Sequence, residues 1–322
     1  MITSDVGVII ATLGDIQRLT KLRDFYCHNF KRIHLYIVFK NSNLAEQFFY
    51  QLFKECDIEL TIIRQIEGRY VTALNMAYHE VREPIVVLND DDVQLPFQAF
   101  SSAKEHLRGE VGCITGRDKR GKLYPLLQSS AMLLNWLLNG ELLDSSYIVS
   151  ISRAGLLATT PTRLLKARLP QISYRTQKPL GAALAFRKEC VKDLSIPDIT
   201  LRGLGNETIL SVHCLTKKHL HTIYTPKYSV DQEERVESLS RTRNALQKTF
   251  EFYMLPLLLH YAGINIDPNA LRKIETGLSR INISSYISIA RKALQLSLHY
   301  IEHETRLSLL EEKLVSLERE IT

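Results

Sequence analysis

Three consecutive carboxylates, Asp90, Asp91 and Asp92, follow the branched apolar run Ile85 to Leu88 through Asn89. Adjacent acids repel one another, and a strand gains nothing by ending on them. Asp suits turns and helix N-caps because its short side chain bonds nearby backbone N–H groups, so the triplet could be only a solvated turn. A hard divalent cation offers a different resolution. Mg2+ or Mn2+ takes one or two carboxylates and completes its shell with water and substrate phosphates. On that reading Asp90 and Asp92 are the metal ligands, and Asp90 and Asp91 face the bound nucleotide.

Such chemistry needs a scaffold that delivers the acids to a ligand. "VGVIIATL" is a continuous, β-branched apolar run, as expected of a strand covered on both faces. Helical spacing follows at Ile16, Leu19, Leu22, Phe25 and Tyr26. Then come strand "IHLYIVF", helix "LAEQFFYQLFKEC", strand "IELTIIR", helix "VTALNMAYHEV" and strand "PIVVLN". Strand–helix alternation with short connections predicts an α/β domain with a mostly parallel, Rossmann-like sheet. Ligands on such sheets gather beyond the carboxyl ends of the strands. The acidic triplet lies at one of those ends, with Pro96 and the helical "FQAFSSAKEHL" closing the corner.

Beyond residue 115 the pattern loosens into the basic loop "GRDKRGKLYP" and a Pro-, Thr- and Arg-rich stretch. "GAALAFRKECV" resumes as a strand entering a helix. "GNETILSVHCLTKK" reads as a helix with Asn206 and Glu207 in its first turn, and "HTIYTPKYSV" as a last strand. From Ile289 an apolar set stepping by threes and fours (Ala293, Leu296, Tyr300, Leu307, Leu310, Leu314, Leu317, Ile321) predicts a long, coiled-coil-like helix. It would pair within the chain or across a homo-oligomer. The expected organisation is a catalytic domain over 1–232, a helical extension over 233–285 and the heptad helix over 286–322.

The 322 residues carry a formal charge of +6 and are 45% apolar, enough for a full core and compatible with an anionic partner. Nucleic acid is not favoured, because the basic loop lacks interleaved aromatics. Five scattered cysteines without a CxxC pair predict free, mostly buried thiols and a reducing, cytoplasmic setting. No signal peptide and no spanning helix are read. "LLQSSAMLLNWLLNGELL" and "MLPLLLHYAG" leave peripheral membrane contact open as a lesser reading.

Taken in order, these motifs resemble those of the GT-A glycosyltransferases over roughly residues 5 to 255. "VIIATLGDIQRLTKL" resembles the opening strand under the nucleotide, "EGRYVTALNMA" an element with Gly68, Ala73 and Asn75, and "LNDDDVQLP" the DXD motif. "GLGNETIL" stands where the family has an acidic pair, and "SRTRNALQK" resembles a later Arg/Asn segment. Two subgroups fit. Against family-two transferases Asn89 replaces an Asp, with Asp91, Asp92 and Pro96 in place. Against exostosin-like transferases Asp90 to Asp92 are intact, and that alignment explains more of the chain. The chain departs from family-two members at Lys40 and Asn41, at Asn206, and in lacking a late His, for which Asp231 is the nearest substitute.

The resemblance implies a metal-dependent transferase using a nucleotide diphosphate sugar, Mn2+ or Mg2+, and a glycan, lipid-linked or protein acceptor. Glu207 would be the base of an inverting reaction, or would stabilise an oxocarbenium-like transition state in a retaining one. A helix-N-terminal Glu that merely complements the dipole is the bland alternative. Arg69, Arg241 and Arg243 would pair with diphosphate oxygens, and Thr12, Asn41 and Asn75 would line the nucleotide. Rival classes are a nucleotidyltransferase, although "ATLGDIQ" is no Gly-rich phosphate loop, and a non-catalytic coiled-coil adaptor on a decayed transferase domain.

Overall fold

A computed structural model of the chain describes residues 5–40, 43–118, 126–140, 143–144, 146–167, 169, 171–181, 184–199, 205–232, 244–281, 284–303, 310 and 314. The elements run β1 (Val6–Thr12), α1 (Ile16–Asn29), β2 (His34–Phe39), α2 (Glu46–Leu52), β3 (Glu59–Arg64), α3 (Tyr70–Glu80), β4 (Ile85–Leu88), β5 (Val93–Gln94), α4 (Phe97–His106) and β6 (Val111–Asp118). After these come α5 (Leu126–Asn139), β7 (Ser150–Ile151), β8 (Leu157–Ala158), α6 (Pro161–Ala167), β9 (Tyr174–Arg175) and β10 (Leu184–Arg187). The chain continues through α7 (Asn206–Lys218), β11 (His221–Gln232), α8 (Ala245–Tyr253), α9 (Leu255–Tyr261), α10 (Pro268–Ser279) and α11 (Ser285–His303).

Two compact units share the chain discontinuously. The first comprises residues 1–122, 179–195 and 213–233, and the second 123–178, 196–212 and 234–322. The first unit is built on a mixed sheet in the order β3-β2-β1-β4-β10-β6-β11-β5. Strands β3, β2, β1 and β4 are mutually parallel, β10 runs antiparallel between β4 and β6, and β6 is parallel to β11. The expected α/β class with a mostly parallel sheet and a helical C-terminal region is what the structure has.

Alternation along the strands divides the core. Val6, Val8 and Ile10 of β1 and Leu35, Ile37 and Phe39 of β2 pack with Leu19, Leu22 and Tyr26 of α1, Phe49 of α2 and Phe100 of α4. The other face buries α3 through Val71, Leu74 and Ala77. A sheet covered on both faces accounts for the unbroken apolar reading of β1. Helix α1 starts cleanly because Asp15 caps it, accepting from the N–H groups of Gln17 and Arg18.

On the α3 face, at the amino-terminal edge of the parallel strands, lies a buried carboxylate. Glu83 accepts from Tyr36 Oη at 2.9 Å and lies 2.7 Å from His34 Nδ1. Burial alone would raise its carboxyl, but the bonds to His34 and Tyr36 outweigh that and hold it below the ordinary 4.5. A carboxyl lowered in the fold stabilises fully above its unfolded value and progressively less as pH falls through the folded one. Substituting Glu83→Gln is expected to cost about 2 kcal/mol near neutrality. It should also flatten the fall in Tm on acidification from about pH 6 to pH 3. Parallel Tm–pH curves for the two proteins would remove Glu83 from acid stability.

The second unit is mainly helical, with a β7–β8 hairpin pairing Ser150 with Ala158. Helix α11 buries Ala290, Ala293, Leu294, Ser297 and Ile301, and packs on α8, α9 and α10. Of the predicted seam, Ala293, Leu296 and Tyr300 are buried within the chain over this span. Leu310 and Leu314 are helical and buried, while the rest of the expected helix beyond His303 lies outside the described residues. Among the described residues no helix is long and apolar enough to cross a membrane.

The cysteines correct one expectation. Cys27 is bonded to Cys56 and Cys190 to Cys214, leaving Cys113 as a buried free thiol. The pairs are 29 and 24 residues apart in sequence yet have Cα–Cα distances of 4.9 and 4.7 Å. Spacing could not reveal this, because the end of α1 and the turn before β3 meet only once β2 and β3 have paired. Burial pushes the Cys113 thiol up to about 12.

Candidate functional site

The strand order reverses direction at β1. From β1 the chain moves outward through β2 and β3, then returns to place β4 on the other side of β1. Open α/β sheets take their ligands beyond the carboxyl ends of the strands at such a reversal, here the ends of β1 and β4. Thr12 ends β1 and the acidic triplet follows β4, so both stand at this reversal.

The triplet is delivered by a tight turn. The Val93 N–H donates to the Asp90 carbonyl at 3.0 Å, which places Asp91 and Asp92 at the centre of the turn. All three acids are half-buried. Thr12 Oγ1 donates to Asp91 Oδ2 at 2.9 Å and accepts from the Gly14 N–H at 3.0 Å, so one hydroxyl ties the two strand ends together. Arg18 Nη1 lies 3.8 Å from Asp91 Oδ1, and Tyr70 Oη donates to Asp90 Oδ1 at 3.2 Å. Asn89 is 1% exposed, and neither of its amide atoms has a hydrogen-bond partner among the described residues. A buried amide left so carries a cost of about 1–3 kcal/mol that a ligand could relieve.

Around this corner the other expected residues separate. Arg69 occupies the N-cap position of α3, directly before Tyr70, and Gln65 Nε2 donates to its carbonyl at 2.8 Å. Gly68 adopts φ +85, and Lys40 Nζ donates to its carbonyl, joining the loops after β2 and β3. Asn75 is half-buried on α3. Asp231 pairs with Gln94 where β11 meets β5, the strand that leaves the acidic turn. Asn41, Arg241 and Arg243 lie outside the described residues. Arg18 and Tyr70 were not anticipated. The only sequence signals for them are the Asp15–Arg18 spacing at a helix start and the position of Tyr70 beside Arg69.

Glu207 belongs to the second unit, in the first turn of α7. It is half-buried and interacts with Lys178 of the same unit. Burial draws the Lys178 ammonium below its ordinary value, and the Glu207 carboxylate works against that shift.

The acidic corner is not a closed metal cage. Among the described residues, the groups with three His, Cys, Asp or Glu ligand atoms within 4.8 Å of one another are Cys113–Cys190–Cys214 and His34–Glu59–Glu83. The corner instead presents carboxylates side by side on a turn. Oxygen donors so arranged suit a Mg2+- or Mn2+-sized ion that takes one or two of them and finds its other ligands on a phosphate and water.

No family model and no curated protein matches the chain in sequence. Solved structures similar to it include a mannosyltransferase from Pyrobaculum calidifontis in complex with GDP-Man and Mn2+. That likeness covers 97% of this chain and 80% of that one at 13% identity, with a TM-score of 0.49. Another is glucosyl-3-phosphoglycerate synthase from Mycobacterium tuberculosis in complex with Mn2+, uridine diphosphate and glucosyl-3-phosphoglycerate. It shows 13% identity over 80% of each chain and a TM-score of 0.46.

Proposed function

We propose that the chain is a metal-dependent glycosyltransferase of the GT-A type, moving a sugar from a nucleotide diphosphate sugar to a glycan, lipid-linked or protein acceptor. The observation that carries this reading is the acidic turn at the reversal of strand order, locked to β1 by the Thr12–Asp91 bond. Asp90 and Asp92 would hold Mn2+ or Mg2+, which when bound neutralises charge on the leaving diphosphate. Thr12 and Arg18 orient Asp91, and Tyr70 orients Asp90. Arg69, with Arg241 and Arg243, binds diphosphate oxygens, and Asn41 and Asn75 contact the nucleoside. Glu207 takes the acceptor proton in an inverting reaction.

Thermal unfolding with a panel of nucleotides, with and without Mn2+, tests this reading. Stabilisation by a nucleoside diphosphate is expected only when Mn2+ is present, and is expected to disappear in Asp90→Asn/Asp92→Asn. Failure of every nucleoside diphosphate to raise Tm in the presence of Mn2+ would overturn the transferase reading and leave the adaptor. A response confined to nucleoside triphosphates would replace it with nucleotidyl transfer.

A further inference from the structure

We propose that His34, Glu59 and Glu83 form a second metal site, for a divalent transition ion such as Zn2+, at the amino-terminal edge of the sheet. Register brings the pieces together. Gly7, His34 and Glu59 are successive partners across β1, β2 and β3, and Tyr36 and Thr61 are partners two residues further on. All five therefore share the α3 face. His34 Nδ1 lies 2.7 Å from Glu83 Oε1 and 3.5 Å from Glu59 Oε2. The three ligand atoms lie within 4.8 Å of one another.

The outer groups are arranged as they are around metal ligands. His34 Nε2 is 2.8 Å from Thr61 Oγ1, which fixes the ring and turns Nδ1 towards the carboxylates. Glu83 Oε2 accepts from Tyr36 Oη at 2.9 Å and from the Arg82 N–H at 3.2 Å, leaving Oε1 to face the imidazole. Tyr36 also stacks on His34 at 4.1 Å between ring centroids. Such outer bonds orient metal-binding imidazoles and carboxylates. Gly7 makes the room, since a Cβ there would lie 2.6 Å from Glu83 Oε2.

One imidazole with two carboxylates, and a fourth position open to water, suits Zn2+ or Co2+. Tetrahedral bonds of about 2.0–2.2 Å set neighbouring ligand atoms roughly 3.3 Å apart. The Glu59 contact already has that spacing, and the Glu83 contact must widen by about half an ångström. The Glu59 side chain is 70% exposed while those of His34 and Glu83 are 12% and 9% exposed, so the ion would enter past an exposed acid onto two largely buried ligands. Gly7 and Thr12 are five residues apart on β1, about 16 Å, so this site and the acidic corner do not share an ion.

A proton-bridged ion pair would use the same atoms, and the experiment separates the two. The full chain carrying Asp90→Asn/Asp92→Asn is titrated calorimetrically with Zn2+ and followed by Co2+ visible absorption. One equivalent is expected to bind. Adding Glu59→Gln, a change at an exposed position, is expected to weaken binding at least tenfold and to diminish the Co2+ band. No binding, or affinity undiminished by Glu59→Gln, leaves a proton-bridged pair only and overturns the proposal. Both titrated proteins lack Asp90 and Asp92, the two acids proposed to hold the corner ion, so the outcome is independent of the transferase reading.

Discussion

Replacing Glu207 by Gln is expected to lower kcat by about 10²–10⁴-fold while leaving nucleotide affinity within a factor of two or so, as loss of a general base does. The competing role is electrostatic support of α7. A carboxylate in a helix's first turn contributes about 0.3–1 kcal/mol, so on that account the variant loses little stability and no turnover. The two accounts differ by orders of magnitude in rate, which makes the assay decisive. Gln keeps the shape and hydrogen-bonding reach of Glu, so a collapse in rate would report the missing charge. Loss of that charge should also deepen the depression of the Lys178 ammonium, because the carboxylate now counters the effect of burial. Unchanged single-turnover rates would exclude Glu207 from the reaction.

The second large effect is on folding. A Cβ added at Gly116 would lie 1.1 Å from the Tyr228 carbonyl oxygen and 2.3 Å from its carbon. Both atoms are backbone, so no rotamer relieves the overlap and β6 must part from β11. Pairing there is already irregular, with a register shift between Tyr224 and Ser229. Gly116→Ala is expected to cost more than about 4 kcal/mol, in the range reserved for core disruption, and to lower Tm by about 10 °C or more. Gly109→Ala is the control. It meets nothing within 4 Å but sits at φ +54, and left-handed strain alone costs about 1–2 kcal/mol. Equal losses for the two variants would show that the contact with Tyr228 is not tight.

These glycines also explain where the sequence stopped being readable. Strands β1, β2 and β4 announce themselves because both their faces are largely buried, and the half-buried edge strand β3 does so through its branched Leu-Thr-Ile-Ile run. β6 does not, since Gly112 and Gly116 interrupt its apolar run. Those glycines answer to atoms far along the chain, the sulfurs of Cys190 and Cys214 at one and the Tyr228 backbone at the other. The acidic corner was legible because local features mark it: a buried strand, a triplet of acids and a helix start. Its helpers were not. Arg18 and Tyr70 reach Asp91 and Asp90 from α1 and α3 only after the parallel strands have assembled. The disulfides failed for the same reason, being contacts of the fold and not of the spacing.

The strand order also bears on synthesis. β4 gains its second neighbour only when β10 arrives, and about 95 residues separate Leu88 from Leu184. At roughly 5–20 residues per second the nascent sheet spends about 5–20 s with that edge unpaired. An open, apolar strand edge is a template for mispairing with other chains. The ribosome therefore releases the candidate catalytic corner, Asp90 to Asp92, on an exposed edge well before the strand that will shield it.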